Sequence, residues 1–352
     1  MIQREERSIP GAALSDTSKA AIGFVLSHEQ FPVTQLVEFA PRAEQAGFDA
    51  LSTSDHFQPW QANQGHVGFA WVTLAAAGAR TQRIPFGTAV TCPSFRYNPA
   101  IVAEAFSSLG LLYPGRVFLG VGSGEALNEV TAGGGWGDYN ERTARLVEAV
   151  HVIRRLWTGE TVNHQGDYFQ VKNARLYDIP STPVPIYIAA GGPESARLAG
   201  EHGDGLITDS KSAVKPEMRQ AFEEGARAAG KDPGSMPIIA ELFVCTGDRA
   251  EAEKGAELWR YLPKAWTEFV EDPDPVDIMR RAQQEVPLDE VLNMMFVSTD
   301  PAEHAKSLQG LIDGGVTTIL VHSAQEDQLS VIDFYGSQVL PRVQRRSPVA
   351  SR

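Results

Sequence analysis

The chain has 352 residues, 43% hydrophobic and 21% charged, a composition that sustains a large buried core. Its formal net charge of −13 argues against nucleic acid or an anionic membrane surface as the main partner. No apolar run approaches the roughly 18 residues of a membrane span, and the two cysteines and eight histidines show no metal or redox spacing, which fits a reducing cytoplasm and no metal site.

Residues 1–19 are polar, lack the apolar segment of a signal peptide, and are expected to form a loose tail before a single domain over 20–345. Strands are predicted at 21–27, 50–54, 85–91, 117–122, 186–190, 205–208, 238–246 and 317–323, each a short apolar run. Helices are predicted between them, at 32–46, 98–111, 140–157, 194–202, 215–229, 249–259 and 301–313. Near-continuous apolar strands alternating with helices indicate an α/β class with a parallel sheet covered on both faces. Eight such units favour closure into a (β/α)8 TIM barrel. Two stretches exceed that plan: 161–171 reads as a hairpin, and about 261–287 as a helical insertion before the last strand.

In such barrels the chemistry lies at the carboxyl ends of the strands. The first strand there offers Ser27, His28, Glu29 and Gln30, and the second offers Asp55, His56 and Trp60. The third brings Cys92, and the fourth runs through Gly120, Gly122 and Gly124 to Glu125 and Asn128. The fifth gives Ala190, Gly191 and Gly192, and the sixth Asp209 and Lys211. A histidine among carboxylates suits proton transfer near neutral pH, an indole walls off water, and glycines opening a helix leave amides for phosphate. The same residues also have plainer readings: His56 as a turn cap, Trp60 as packing, Glu29 and Glu125 as solvated carboxylates, Lys211 as a surface lysine. The glycine-rich run at 120–124 follows the fourth strand and lacks dinucleotide-loop spacing, which speaks against a nicotinamide site.

Several ordered segments carry a family resemblance: Ser54-Asp55-His56-Phe57-Gln58-Pro59-Trp60, Phe95-Arg96-Tyr97-Asn98-Pro99-Ala100, the run from Arg116 to Glu129, and Ile188-Ala189-Ala190-Gly191-Gly192-Pro193. Together they resemble the coenzyme F420-dependent dehydrogenases of the bacterial luciferase-like superfamily, over about residues 21–342. The resemblance implies hydride transfer to a deazaflavin, with His56 as base toward the substrate hydroxyl. It implies Trp60 and Glu29 in the catalytic pocket and Glu125 at the proton of ring N1. Asp55, Asn128, Ala190, Gly191, Gly192 and Asp209 would bind the cofactor, with backbone from Ala89, Val90 and Cys92. A non-prolyl cis peptide is expected at Ala89–Val90, and a homodimer is implied.

Among these relatives, the glucose-6-phosphate dehydrogenases hold phosphate with two lysines and an arginine. Here the arginine position falls at Met294 and one lysine position around Thr267–Glu268, while Lys211 remains. The segments Val25-Leu26-Ser27-His28-Glu29-Gln30-Phe31 and Ala240-Glu241-Leu242-Phe243 instead resemble the hydroxymycolic acid dehydrogenase branch. The expected reaction is oxidation of a bulky, apolar, unphosphorylated secondary alcohol to a ketone. A sugar-6-phosphate dehydrogenase and a flavin-dependent luciferase-like monooxygenase are the alternatives. The branch's relatives commonly carry a twin-arginine export signal, which residues 1–19 do not contain.

Overall fold

Each predicted apolar run becomes a strand because a parallel sheet covered by helices buries both of its faces. In the computed structural model, which describes residues 13–345, the strands are β1 (Ala21–Val25), β2 (Ala50–Thr53), β3 (Phe86–Thr91), β4 (Val117–Val121), β5 (Val162–Gln165), β6 (Gln170–Ala174), β7 (Ile186–Ala189), β8 (Gly205–Asp209), β9 (Ile238–Cys245), β10 (Phe296–Val297) and β11 (Thr318–Ser323). Parallel ladders run β1-β2-β3-β4-β7-β8-β9-β11 and return to β1, closing an eight-stranded barrel. β5 and β6 form the expected antiparallel hairpin, and β10 adds to β9 beyond the barrel.

The helices are α1 (Val33–Ala46), α2 (Ala70–Arg80), α3 (Pro99–Leu112), α4 (Ala126–Glu129), α5 (Tyr139–Leu156), α6 (Pro193–His202), α7 (Ser210–Ala213), α8 (Pro216–Ala228), α9 (Arg249–Leu258), α10 (Pro275–Glu285), α11 (Leu288–Leu292), α12 (Pro301–Asp313) and α13 (Gln328–Phe334). Their starts follow local chemistry. Asn98, Asp274 and Asp300 each accept a backbone N–H and are each followed by proline at the first helical position. α2 escaped the sequence reading: its single charged residue, Arg80, is its last, so no charge marks an outer face before it.

Val25, Phe118, Tyr187, Ile207, Ile239 and Leu320 form one buried cluster, while the main core lies between the strands and the surrounding helices. Glycines let the third and fourth strands approach: a Cβ on Gly120 would lie 2.0 Å from the Thr88 carbonyl oxygen, and one on Gly87 2.1 Å from that of Phe118. The insertion folds as short 3-10 and π turns over 262–269 followed by α10. It packs with Trp60, Leu127, Trp259 and Met295 as a separate apolar cluster above the strand ends.

Part of the expected tail, residues 1–12, lies outside the described residues. In the described part of it, two residues are tied to the barrel. Ala13 is buried against Tyr187, whose hydroxyl donates to its carbonyl, and the Thr17 hydroxyl donates to the Gly234 carbonyl at 3.2 Å.

Candidate active site

The Ala89–Val90 peptide is cis, and the register between β3 and β4 shifts between Thr88 and Thr91. Both residues are half-buried on a strand whose other members are buried. Cys92, the next strand-end residue, is fully buried, and burial together with the Glu129 charge pushes its thiol well up, so it is inert near neutral pH.

His56 stands between carboxylates from two strand ends. Its Nε2 lies 3.5 Å from Glu29 Oε1, and both side chains are almost wholly buried. Its Nδ1 lies 3.1 Å from the amide nitrogen of Asn128, which also donates to Glu125 Oε2 at 3.0 Å. The Trp60 ring sits 6.1 Å from that of His56 and stacks on Tyr261 at 4.6 Å, with Trp266 edge-on at 5.7 Å. Glu29, His56, Trp60, Glu125 and Asn128, drawn from three strand ends, therefore share one mouth.

The neighbouring His28 plays a different part. Its ring is buried with Nδ1 at 3.0 Å from the Ser54 carbonyl and Nε2 at 2.8 Å from Thr73 Oγ1, and burial lowers its pKa. It ties β1, β2 and α2 together as a neutral ring.

Two expected cofactor ligands are otherwise engaged. Asp55 Oδ2 accepts from Thr91 Oγ1 at 2.7 Å, and Oδ1 accepts from Arg96 and Tyr97, each at 3.1 Å. Its carboxylate braces the pocket wall from behind. Asp209 Oδ1 caps α7, accepting the N–H groups of Lys211 at 2.9 Å and Ser212 at 3.0 Å. Only this oxygen is used in the cap, and the side chain is exposed.

Gly191 and Gly192 fit the phosphate-cradling expectation better. Gly192 caps α6, and a Cβ on either glycine would meet nothing within 4 Å, so both border open space beside the buried Ala190. An anionic tail is favoured at such a helix start.

Sequence reasoning missed a second layer. Arg96, Tyr97 and Glu129 join Asp55 in a buried knot, and the Arg96 N–H donates to Glu129 Oε2 at 2.7 Å. Arg96, Tyr97 and Glu129 stand inside segments that carried the resemblance, which was the available signal. On the far wall, His322 Nδ1 meets Glu241 Oε1 at 2.5 Å, and Phe243 stacks on the His322 ring at 4.3 Å. Only the fold brings β9 and β11 side by side, so spacing gave no hint of this pair. Among the described residues no protein group pairs with the buried His322 Nε2 or Ser52 Oγ. Buried polar atoms without a protein partner match a site built to receive a polar guest.

Burial raises the Glu129 carboxyl to about 7, despite the opposing charge of Arg96. Its folded value lies above its unfolded one, so the stability it contributes is present at acid pH and is lost as pH rises through about 7. Glu129→Gln is therefore expected to gain on the native chain by about 2–3 kcal/mol between pH 5 and pH 8. Thermal melts across that range check it, and a gap independent of pH would refute it.

Among the described residues no group of three histidines, cysteines or carboxylates is placed to hold a metal, and no helix is long and apolar enough to cross a membrane. The chain belongs to the luciferase-like monooxygenase family, whose pattern residues 16–318 match. It is 47% identical to the F420-dependent hydroxymycolic acid dehydrogenase of Mycobacterium tuberculosis, over 93% of this chain and 89% of that protein. It is 39% identical to the F420-dependent glucose-6-phosphate dehydrogenase of Mycolicibacterium gilvum, over 92% and 98% respectively. An F420-dependent secondary alcohol dehydrogenase, solved with an F420–acetone adduct, superimposes with a TM-score of 0.86 at 35% identity, covering 93% of this chain and 99% of that one.

Proposed function

We propose that this F420-dependent dehydrogenase oxidises a bulky, apolar, unphosphorylated secondary alcohol to a ketone. The observation that carries this reading is a histidine–carboxylate pair roofed by aromatic rings. Lys211 gives its ammonium to the Asn293 carbonyl at 2.8 Å. Glu268 is matched with Lys264 and Arg281, and Lys264 is shared with Glu285. Met294 stands where the resemblance places an arginine. A phosphate dianion would meet apolar atoms and paired charges, while an alkyl chain would meet Trp60, Tyr261 and Trp259.

When bound, the deazaflavin supplies a hydride acceptor. The protein's own part is to hold its anionic tail at the α6 start beside Gly191 and Gly192, and to seat the ring near Ala89, Val90 and Glu125. His56 and Glu29 meet the substrate hydroxyl, and the Trp60–Tyr261 stack keeps water out. Excluding water strengthens every charge interaction around the reacting carbon.

The test follows loss of the oxidised coenzyme's absorbance with an alcohol panel. Bulky apolar secondary alcohols are expected to exceed glucose 6-phosphate in kcat/KM by about 100-fold or more, the worth of two missing charge-assisted phosphate contacts. Comparable turnover of the sugar phosphate would overturn the substrate assignment.

A further inference from the structure

We propose that Asn128 is a positioning residue that fixes the His56 proton on Nε2, so that His56 meets the alcohol as a hydrogen-bond donor and Glu29 receives the hydroxyl proton. This deepens the dehydrogenase reading and rests on it.

The two ends of a carboxamide are chemically distinct: its oxygen accepts and its nitrogen donates. Asn128 Oδ1 receives the backbone N–H of Phe57 at 2.8 Å and that of Gln58 at 3.3 Å, which only an oxygen can do. Its nitrogen is therefore turned toward Glu125 Oε2 and His56 Nδ1, with one hydrogen for each. A ring nitrogen that accepts from an N–H carries no proton of its own. The neutral His56 ring thus holds its proton on Nε2.

That tautomer changes the role expected from the sequence. An Nε2–H has no lone pair with which to take a hydroxyl proton, and the Asn128 N–H occupies Nδ1. Nε2 lies 3.5 Å from Glu29 Oε1, at the outer limit of a hydrogen bond. A hydroxyl bridging the two from the side accepts from His56 and donates to the carboxylate. Glu29 Oε2 accepts from the Ser27 hydroxyl at 3.2 Å and Oε1 faces the His56 N–H, contacts that favour its ionised form. In the step, the alcohol O–H bond breaks and its proton ends on Glu29. The hydride leaves the adjoining carbon for the oxidised deazaflavin, and the freed oxygen pair closes the carbonyl.

The titratable groups facing this centre are His28 and Asp55 beside His56, Glu125 after β4, Tyr261 from the insertion, and His322 with Glu241 on the far wall. Tyr261 is pushed well up by burial and by the charges of Glu29, Glu241 and Glu125, so it stays neutral.

Nitrogen-15 NMR of the ligand-free protein reads the tautomer, with the His56 signal assigned by its loss in His56→Gln. The native ring is expected to be protonated on Nε2 and bare on Nδ1. Asn128→Asp keeps an acceptor for Phe57 and Gln58 but presents oxygen to Nδ1, and should move the proton there. With coenzyme and alcohol present, this variant is expected to lose about 100-fold or more in kcat, as tautomer reversal does in other histidine-dependent enzymes. Glu29→Gln should lose at least as much, together with the rise of kcat/KM through the carboxylate range. A native ring protonated on Nδ1 overturns the proposal whether or not the variants fold, and so does Glu29→Gln retaining kcat within about tenfold. The expected tautomer with no alcohol oxidised would sink the dehydrogenase reading and leave the Asn128 assignment standing.

Discussion

His56→Ala is expected to lower kcat by about 10²–10⁴-fold while leaving the fold intact. The ring is held by one contact to Asn128 and a long one to Glu29, so its removal deletes no structural knot. Asn128 keeps its bonds to Phe57, Gln58 and Glu125, which preserves the second strand-end loop. What disappears is the donor facing the developing oxygen charge, an interaction made most strongly in the transition state. The loss should therefore fall on kcat rather than KM. Coenzyme absorbance under saturating alcohol measures it, with thermal melts confirming the fold. A decrease smaller than tenfold would remove His56 from the chemistry.

Gly120→Ala should have the largest effect on stability. The added methyl would sit 2.0 Å from the Thr88 carbonyl oxygen and 2.9 Å from Ile207 Cδ1. The nearer atom is backbone and cannot rotate away, so β3 and β4 must part. Overpacking of this kind costs about 3 kcal/mol, or about 5 °C in Tm. Gly310→Ala in α12 is the control, because a Cβ there meets nothing within 4 Å. That variant should gain up to about 1 kcal/mol, since alanine suits a helix better than glycine. Equal melting temperatures for the two variants would contradict this account of close strand approach.

Much of this architecture was readable from residue order, because strand periodicity and proline-led helix starts are local properties. The eight barrel strands and the hairpin were found that way, whereas α2 was missed for want of a polar face. The site divides along the same line. Glu29, His56 and Glu125 could be nominated by chemistry and position at strand ends. Residue order could not say how each carboxylate would be spent. Asp55 and Asp209 look as available as Glu29 in the sequence, yet both oxygens of the first accept from Thr91, Arg96 and Tyr97, while one oxygen of the second caps α7. The His322–Glu241 pair joins residues 81 positions apart, which only the ladder between β11 and β9 makes neighbours.

The aromatic roof is packed as a body of its own, distinct from the core that holds the barrel shut. Residues that decide which guest fits can therefore be exchanged with little strain on the scaffold beneath. Trp60, Leu127 and Ala324 are the exceptions, since they belong to the roof while following β2, β4 and β11 by a few residues. Under the proposed reaction, selection for a new substrate can redraw the ceiling around them while the histidine–carboxylate floor stays in place.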